Sequence, residues 1–236
     1  MFAVFKKEMH SYFTSVIGYV FLVIYLALGG GMFAYTTLFA MTADVTTFYI
    51  MMLVFSAILL PLLTMKSFSE ERKIKTEQLL LTSPVSITGM VMGKFLAAYV
   101  MFAGCIILNS LYFLILNYYA VLKFLILLGN VVAMLLVGMA FISIGLFVSS
   151  LTENQLAAAI GTIAIIGSFL LIGLLSSLFP SSHWFRMYVL NFISILTRFQ
   201  GFANGYFDIA SLVYYLSISA IFLYLTVRVY DRRRSG

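Results

Sequence analysis

Six long runs of hydrophobic residues, separated by shorter polar segments, organise this sequence. A helix needs roughly 20 apolar residues to cross about 30 Å of hydrocarbon, and each run is long enough to do so. The runs cover residues 16–38, 47–66, 87–117, 124–150, 155–178 and 209–230. The pattern therefore predicts an all-α integral membrane protein in which residues 1–236 form one domain with six transmembrane helices.

The composition agrees with a lipid environment. Hydrophobic residues make up 63% of the chain and charged residues 9%, which is more apolar side chain than a soluble core of this size can bury. The net charge of +6 does not indicate nucleic-acid binding, because the basic residues lie in short clusters between apolar runs. Cys105 is the only cysteine, which excludes an internal disulfide and argues against a zinc site.

The distribution of basic residues predicts how the helices are oriented. With six spans, both termini and the second and fourth connections lie on one side of the membrane. That side holds Lys6, Lys7, Lys66, Arg72, Lys73, Lys75, Lys94, Arg228, Arg232, Arg233 and Arg234. The opposite side holds only Lys123, Arg186 and Arg198. Because Lys and Arg favour the cytoplasmic side, we expect a multi-pass protein of the inner (cytoplasmic) membrane with both termini in the cytoplasm.

Two segments outside the spans have amphipathic patterns. In residues 1–15 the large apolar residues recur at spacings of three and four, which predicts an N-terminal interfacial helix. The alternative is that these residues are the cytoplasmic end of the first span. Between the fifth and sixth spans, residues 180–208 mix aromatic residues with Arg186 and Arg198, and they predict an external amphipathic segment at the outer interface.

The cytoplasmic segment 67–84, between the second and third spans, is the most unusual part of the sequence. Ser67 followed three residues later by Glu70 is a capping-box pattern that predicts the start of a helix, and Pro84 predicts its end. This helix would have a charged first half and a leucine-rich second half. The leucines would be exposed unless the membrane or a partner protein covers them, so the segment is predicted to dock against something.

These residues resemble the coupling helix of the permeases of type-2 ABC exporters. The family pattern is an acidic-basic pair, a Gly-Thr, a Leu-Leu and a Pro followed by a small apolar residue. The matching residues are Glu71, Arg72, Thr76, Leu79, Leu80, Pro84 and Val85. Lys75 departs from the pattern, because it stands where glycine is common. The tight turn at residues 149–155 is similar to a turn of the same family. The region from Arg198 to the Arg-rich tail resembles the gliding-motility-associated branch, which is related to permeases encoded near multicopper-enzyme maturation genes.

The resemblance implies the transmembrane subunit of an ATP-driven exporter, which forms the translocation path together with a second copy or a paralogue. The sequence has no phosphate-binding loop of its own, so ATP and Mg²⁺ would be bound by a separate ABC ATPase subunit, and this chain would hold no cofactor. An envelope accessory protein is a further implied partner. The implied coupling residues are Glu70, Glu71, Arg72, Lys73, Thr76, Glu77, Leu79 and Leu80. Lys6 and Lys7 would contact the ATPase or lipid headgroups.

The predicted spans contain few polar residues. Lys94 lies about seven residues into the third span, and we interpret it as snorkelling to the cytoplasmic interface. Asn109, Asn117 and Asn130 are interpreted as helix–helix contacts or loop residues. Gly29, Gly30, Gly31 and Pro61 are candidate gating or packing positions. No metal-ligand pattern or substrate-binding motif stands out.

Three alternative functions differ in what they require. An ion-coupled secondary transporter usually has acidic or histidine residues within the bilayer, whereas Asp44, Glu153 and Asp208 fall in loops or at span ends. An intramembrane enzyme would need a catalytic constellation at membrane depth, and the spans contain none. A scaffold of an envelope complex that transports nothing would have the same fold, and a substrate accumulation assay would distinguish it from an exporter.

Overall fold

The computed structural model describes residues 1–76, 86–116, 124–178, 190–205 and 208–235, and within these ranges helices are the only regular secondary structure. The first helices are α1 (Phe2–Thr14), α2 (Val16–Phe33), which continues as a π-helical segment (Ala34–Phe39), α3 (Val45–Thr64) and α4 (Lys66–Lys73). They are followed by α5 (Ile87–Leu116), α6 (Phe124–Leu151), α7 (Gln155–Leu178), α8 (Asn191–Ile193), α9 (Ile195–Ala203) and α10 (Ile209–Ser235).

Six helices of the described chain are long and apolar enough to cross a membrane. They comprise Val16–Phe39, Val45–Lys73, Ile87–Leu114, Phe124–Leu151, Gln155–Ser176 and Ile209–Arg234. The predicted all-α class and the number of spans are therefore confirmed. The second span begins at Val45, two residues earlier than predicted, because the Asp44 carboxylate accepts a hydrogen bond from the Thr46 N–H at 3.0 Å and caps the helix.

Helix α6 forms the centre of the bundle. It packs against α3, α5, α7, α9 and α10, and large parts of its surface are buried on all sides. In contrast, α2, α7 and α10 lie at the periphery and leave apolar side chains such as Val23, Ile160 and Val213 exposed. Apolar exposure on this scale fits a lipid-facing surface.

A sharp bend joins α1 to α2 and turns α1 back onto the bundle. Ser15 is extended between the two helices, and Gly18 lies against the backbone of Tyr12, where a Cβ atom would come within 1.9 Å of the Tyr12 carbonyl oxygen. Only glycine permits this approach. As a result α1 packs against α5 and α2. Its position in the membrane interface stays a prediction.

At the other end of the bundle, residues 190–205 fold back onto the spans. Ile195, Phe199 and Phe202 of α9 are buried, and α9 packs against α6 and α7. Side chains of several spans donate hydrogen bonds to this segment. The Tyr215 hydroxyl donates to the Ile195 carbonyl at 2.9 Å, and the Asn130 amide donates to the Ala203 carbonyl at 3.3 Å. The aromatic residues of the predicted external segment at 184–188 lie outside the described residues.

Candidate functional site

Many of the charged side chains in the described ranges gather at one end of the bundle, which we call the charged end. It is formed by α1, α4, the turn at residues 152–154 and the last turns of α10. Arg72 of α4 pairs with Glu153 of the turn at 3.0 Å. Arg233 of α10 donates to the Ser150 carbonyl at 2.8 Å, and the ring of Phe68 lies 4.9 Å from that of Tyr230. The predicted coupling segment and both terminal helices therefore meet at the same end.

Helix α4 continues directly from α3, which contradicts the predicted capping box. Met65 joins the two helices in a right-handed helical conformation, and the buried Ser67 hydroxyl has no hydrogen-bond partner among the described residues. The capping role belongs instead to Ser149 of α6. Its hydroxyl accepts from the N–H groups of Phe68 and Ser69, both at 3.1 Å, and donates to the Met65 carbonyl at 3.0 Å. The start of α4 is thus fixed by the central helix of the bundle.

The structure also corrects the predicted extent of the helix over 67–84. Helix α4 ends at Lys73, and residues 74–76 form a turn. The Lys75 N–H donates to the Arg72 carbonyl at 3.0 Å, and Lys75 has a φ of 59°. Non-glycine residues rarely adopt this left-handed conformation, which commonly ends helices. The remaining coupling residues Glu77, Leu79 and Leu80 lie outside the described residues.

Lys75 has a left-handed conformation that glycine adopts without strain, and this gives a testable expectation. Replacing Lys75 by glycine removes the left-handed strain, so we expect the free energy of unfolding to rise by about 1 kcal/mol. Thermal unfolding of the purified chain in detergent measures the change. Lys73→Gly removes the same charge from the last helical position, where glycine relieves no strain, and is expected to leave stability unchanged or lower. Equal effects of the two substitutions would contradict the assigned turn.

Beneath α4, the side chain of Lys94 is enclosed by protein and does not snorkel to the interface as predicted. The residue is only 2% exposed. Its Nζ atom lies 2.8 Å from Glu8 Oε1, 3.0 Å from Glu71 Oε1 and 2.6 Å from the Ser67 carbonyl oxygen. It also lies 5.0 Å from the centre of the Phe68 ring. The prediction failed because carboxylates from α1 and α4 reach Lys94 before it reaches water.

A fourth charge completes this network. Lys7 of α1 lies 3.4 Å from the same Oε1 atom of Glu71. The two ammonium groups of Lys7 and Lys94 therefore balance the two carboxylates of Glu8 and Glu71, and we call these four residues the charge quartet. The carboxylates are largely buried, with side-chain exposures of 12% and 14%. Balanced charge is what allows such groups to be buried at all.

A polar cavity of about 550 Å³ adjoins the charge quartet. It lies between α1 and α4, and the ends of α3 and α5 also line it. All four members of the quartet contribute to its wall, together with Lys66 and Glu70. Burial, with a smaller contribution from Glu8, raises the pKa of Tyr12, which also lines the cavity. The tyrosine hydroxyl therefore stays protonated and available as a hydrogen-bond donor.

The predicted coupling residues divide into an inner and an outer group. Glu71 and Arg72 are bound within the chain, to Lys94 and Glu153 respectively, and the Thr76 hydroxyl donates to the Glu71 carbonyl at 3.4 Å. Glu70 pairs with Lys66 at 3.8 Å near the surface. Lys73 and the neighbouring turn residues Ile74 and Lys75 are exposed, as is Lys6 of α1. The exposed surface of α4 is therefore at its C-terminal end, at Lys73 and the turn that follows it.

The glycines of the first span have different environments. A Cβ atom on Gly29 would meet the side chain of Asn109 at 2.1 Å, so this glycine seats α2 against α5. Gly30 lies near the Tyr112 hydroxyl, and a Cβ atom on Gly31 would meet nothing within 4 Å. Pro61 is buried within α3. The packing interpretation fits Gly29, whereas gating at these positions stays a prediction. Asn117 lies outside the described residues.

Sequence reasoning missed two residues of the site, Glu8 and Ser149, and it did not predict that Lys94 is buried. One signal was available for the first. A lysine within a span requires an anionic partner, and Glu8 is the only acidic residue before Asp44. No comparable signal identifies Ser149, because serine is common in membrane helices and its partners are 80 to 84 positions away in the sequence.

The six apolar helices define a multi-pass membrane protein. The family model described as "ABC-2 family transporter protein" matches residues 30–230, and the chain belongs to this family. It is therefore a permease subunit of an ABC transporter, and an ABC ATPase is the general partner of such subunits. No curated protein matches the chain.

Proposed function

We propose that this chain is the transmembrane subunit of an ATP-driven exporter and that a separate ATPase docks on the charged end. The observation that carries the proposal is the two-sided character of α4. Its inner face is held by Ser149 and Lys94 of two different spans, while Lys73, Ile74 and Lys75 at its end are exposed. An element that is fixed inside and exposed outside can pass a force from a partner into the bundle.

The charge distribution supports a cytoplasmic position for this end. The exposed lysines at the end of α4 and the arginines of α10 lie there, and basic residues favour the cytoplasmic side. Both termini would then lie in the cytoplasm. ATP and Mg²⁺ would be bound by the ATPase. The resemblance to the gliding-motility-associated branch supports a role in the cell envelope. We include an envelope accessory protein among the proposed partners for the same reason.

The proposal is tested by purifying the tagged chain in mild detergent from its native host and identifying co-purified proteins by mass spectrometry. We expect an ABC ATPase, and we expect Lys73→Glu to lose most of it, because a reversed charge then faces the partner. Arg234→Glu is the matched control, since it makes the same change at an exposed position of α10 at the same end. Absence of an ATPase would contradict the exporter proposal and favour a permease-like scaffold that transports nothing. Equal retention by both variants would contradict docking through α4.

An exposed stripe on α3 supports the second part of the proposal, a dimer. Helix α3 packs against α2, α6 and α7, and most of its residues are buried. Yet Met51, Val54, Ile58 and Leu62 remain exposed, and their spacing of three and four places them on one face. The stripe lies on a span that is otherwise an interior helix. We propose that a second copy, or a paralogue, covers it and that the translocation path runs between the two chains.

Cysteine crosslinking tests the dimer interface. In a Cys105→Ala background, which removes the only native cysteine, Val54→Cys is expected to form a disulfide between two chains in the membrane. Val213→Cys is the control, because it is similarly exposed but lies on α10, whose main packing partners are α6, α5 and α9. Crosslinking at Val213 without crosslinking at Val54 would contradict the interface. If neither position crosslinks with itself, pairing with a paralogue is the remaining form of the proposal, and Val54 should then crosslink to that protein.

A further inference from the structure

The helices at the charged end form two packing groups that the charge quartet connects. Helix α4 packs mainly against α6, α3 and α7, whereas α1 packs mainly against α5 and α2. Between α1 and α4 lies the cavity of about 550 Å³. The groups are therefore separated by a gap where α1 and α4 face each other, and long charged side chains cross this gap.

Lys94 is the centre of this connection. An ammonium group has three N–H donors, and three oxygen atoms lie within 3.0 Å of Lys94 Nζ, one from α1 and two from α4. The ammonium donates hydrogen bonds to Glu8 and to the Ser67 carbonyl and forms an ion pair with Glu71, so it is bound by groups from both packing groups. Because the residue is enclosed, water screens these interactions little. Lys7 makes a second contact from α1 to Glu71, but it is 61% exposed and therefore weaker.

We propose that Lys94 is a positioning residue that makes α1 and the start of α5 follow the movement of α4. Helix α4 continues directly from α3 and packs mainly against α6, α3 and α7. Through these contacts a displacement of α4 reaches α3, α6 and α7 directly, whereas the described polar contacts from α4 to α1 and Lys94 are those of the charge quartet and the Ser67 carbonyl. With the quartet in place, α1 and α5 move together with α4, so the first and third spans respond to the partner as well. This inference rests on the proposed docking of an ATPase at α4.

Hydrogen–deuterium exchange of the full chain, alone and in complex with its ATPase, tests the proposal. The test variant combines Glu8→Gln, Glu71→Gln and Lys94→Met, which removes the ionic connection without leaving an unpaired buried charge. In the chain alone, amide exchange in α1 is expected to become faster, on the order of tenfold, while α4 retains its protection through Ser149. Unchanged protection of α1 in the triple variant would overturn the proposal. Because this measurement uses the chain alone, its outcome does not depend on the proposed ATPase docking.

The complex provides the second arm. ATP binding is expected to change exchange in both α1 and α4 of the wild-type chain, whereas in the triple variant the change persists in α4 and is lost in α1. A structural role alone would leave the response of α1 intact once the variant folds. Persistence of that response, or a wild-type response confined to α4, would overturn the proposal. No response in α4 would instead contradict the proposed ATPase docking.

Two controls make the comparison specific. Lys94→Arg keeps the cation and is expected to retain the response of α1 at least in part. Lys66→Met removes a lysine from α4 that forms a different ion pair, with Glu70, whose side chains are 32% and 42% exposed. This control is expected to behave as the wild type. If it loses the response of α1 as the triple variant does, the effect is not a property of Lys94 and the proposal fails.

Discussion

Replacing Lys94 by methionine is expected to lower the free energy of unfolding by about 3–5 kcal/mol, because removing one partner of a buried ion pair leaves the other charge unpaired. Here two carboxylates, those of Glu8 and Glu71, would lose their shared cation. Methionine preserves most of the volume, so the loss reports charge more than packing. Thermal and denaturant unfolding of the purified chain in detergent would measure it.

The matched control for this prediction is Lys66→Met at the same end of the bundle. Lys66 is paired with Glu70 at 3.8 Å, but both side chains are partly exposed, and exposed pairs contribute about 0–1 kcal/mol. The two substitutions make the same chemical change in different surroundings. Similar losses of stability for both would show that Lys94 reaches water after all, as its sequence position first suggested.

The sequence predicted the six spans correctly but not the environment of Lys94, because the two features depend on different kinds of information. The spans were predicted correctly because a long apolar run needs no knowledge of its neighbours. In contrast, the fate of Lys94 depends on Glu8, which is 86 positions away. Whether a lysine snorkels or is enclosed is decided by which carboxylate the fold brings within reach. That choice is a property of tertiary packing and leaves no local pattern.

The start and end of α4 show the same contrast. Its capping box was a sound local expectation, but α3 runs directly into α4, and Ser149 supplies the hydroxyl that Ser67 was expected to provide. At the other end, the family resemblance marked position 75 as one where glycine is common, and the structure gives Lys75 the left-handed conformation that glycine favours. The resemblance thus contained backbone information that composition and periodicity did not.

A second large effect is expected at Gly145, where the two most buried spans approach each other closely. A Cβ atom at this position of α6 would lie 2.1 Å from Thr64 Oγ1 and 2.9 Å from Thr64 Cβ. The Thr64 hydroxyl is itself held by the Leu60 carbonyl at 3.1 Å. Since the threonine cannot simply rotate away, α3 must shift. Gly145→Ala is therefore expected to destabilise the chain by about 1–3 kcal/mol through overpacking.

The position of Gly145 extends this effect to the charged end. Ser149, which holds the start of α4, lies one turn further along the same helix, and α4 continues directly from α3. A shift of α3 away from α6 would therefore disturb α4, and ATPase retention should fall together with stability. Gly104→Ala on α5 is the matched control, because a Cβ atom there meets nothing within 4 Å, and alanine favours a helix by about 1 kcal/mol over glycine. Gly145→Ala should therefore unfold at a lower temperature than the wild type and Gly104→Ala at the same or a higher one. The opposite order would mean that α3 and α6 are further apart than the contact at Thr64 requires.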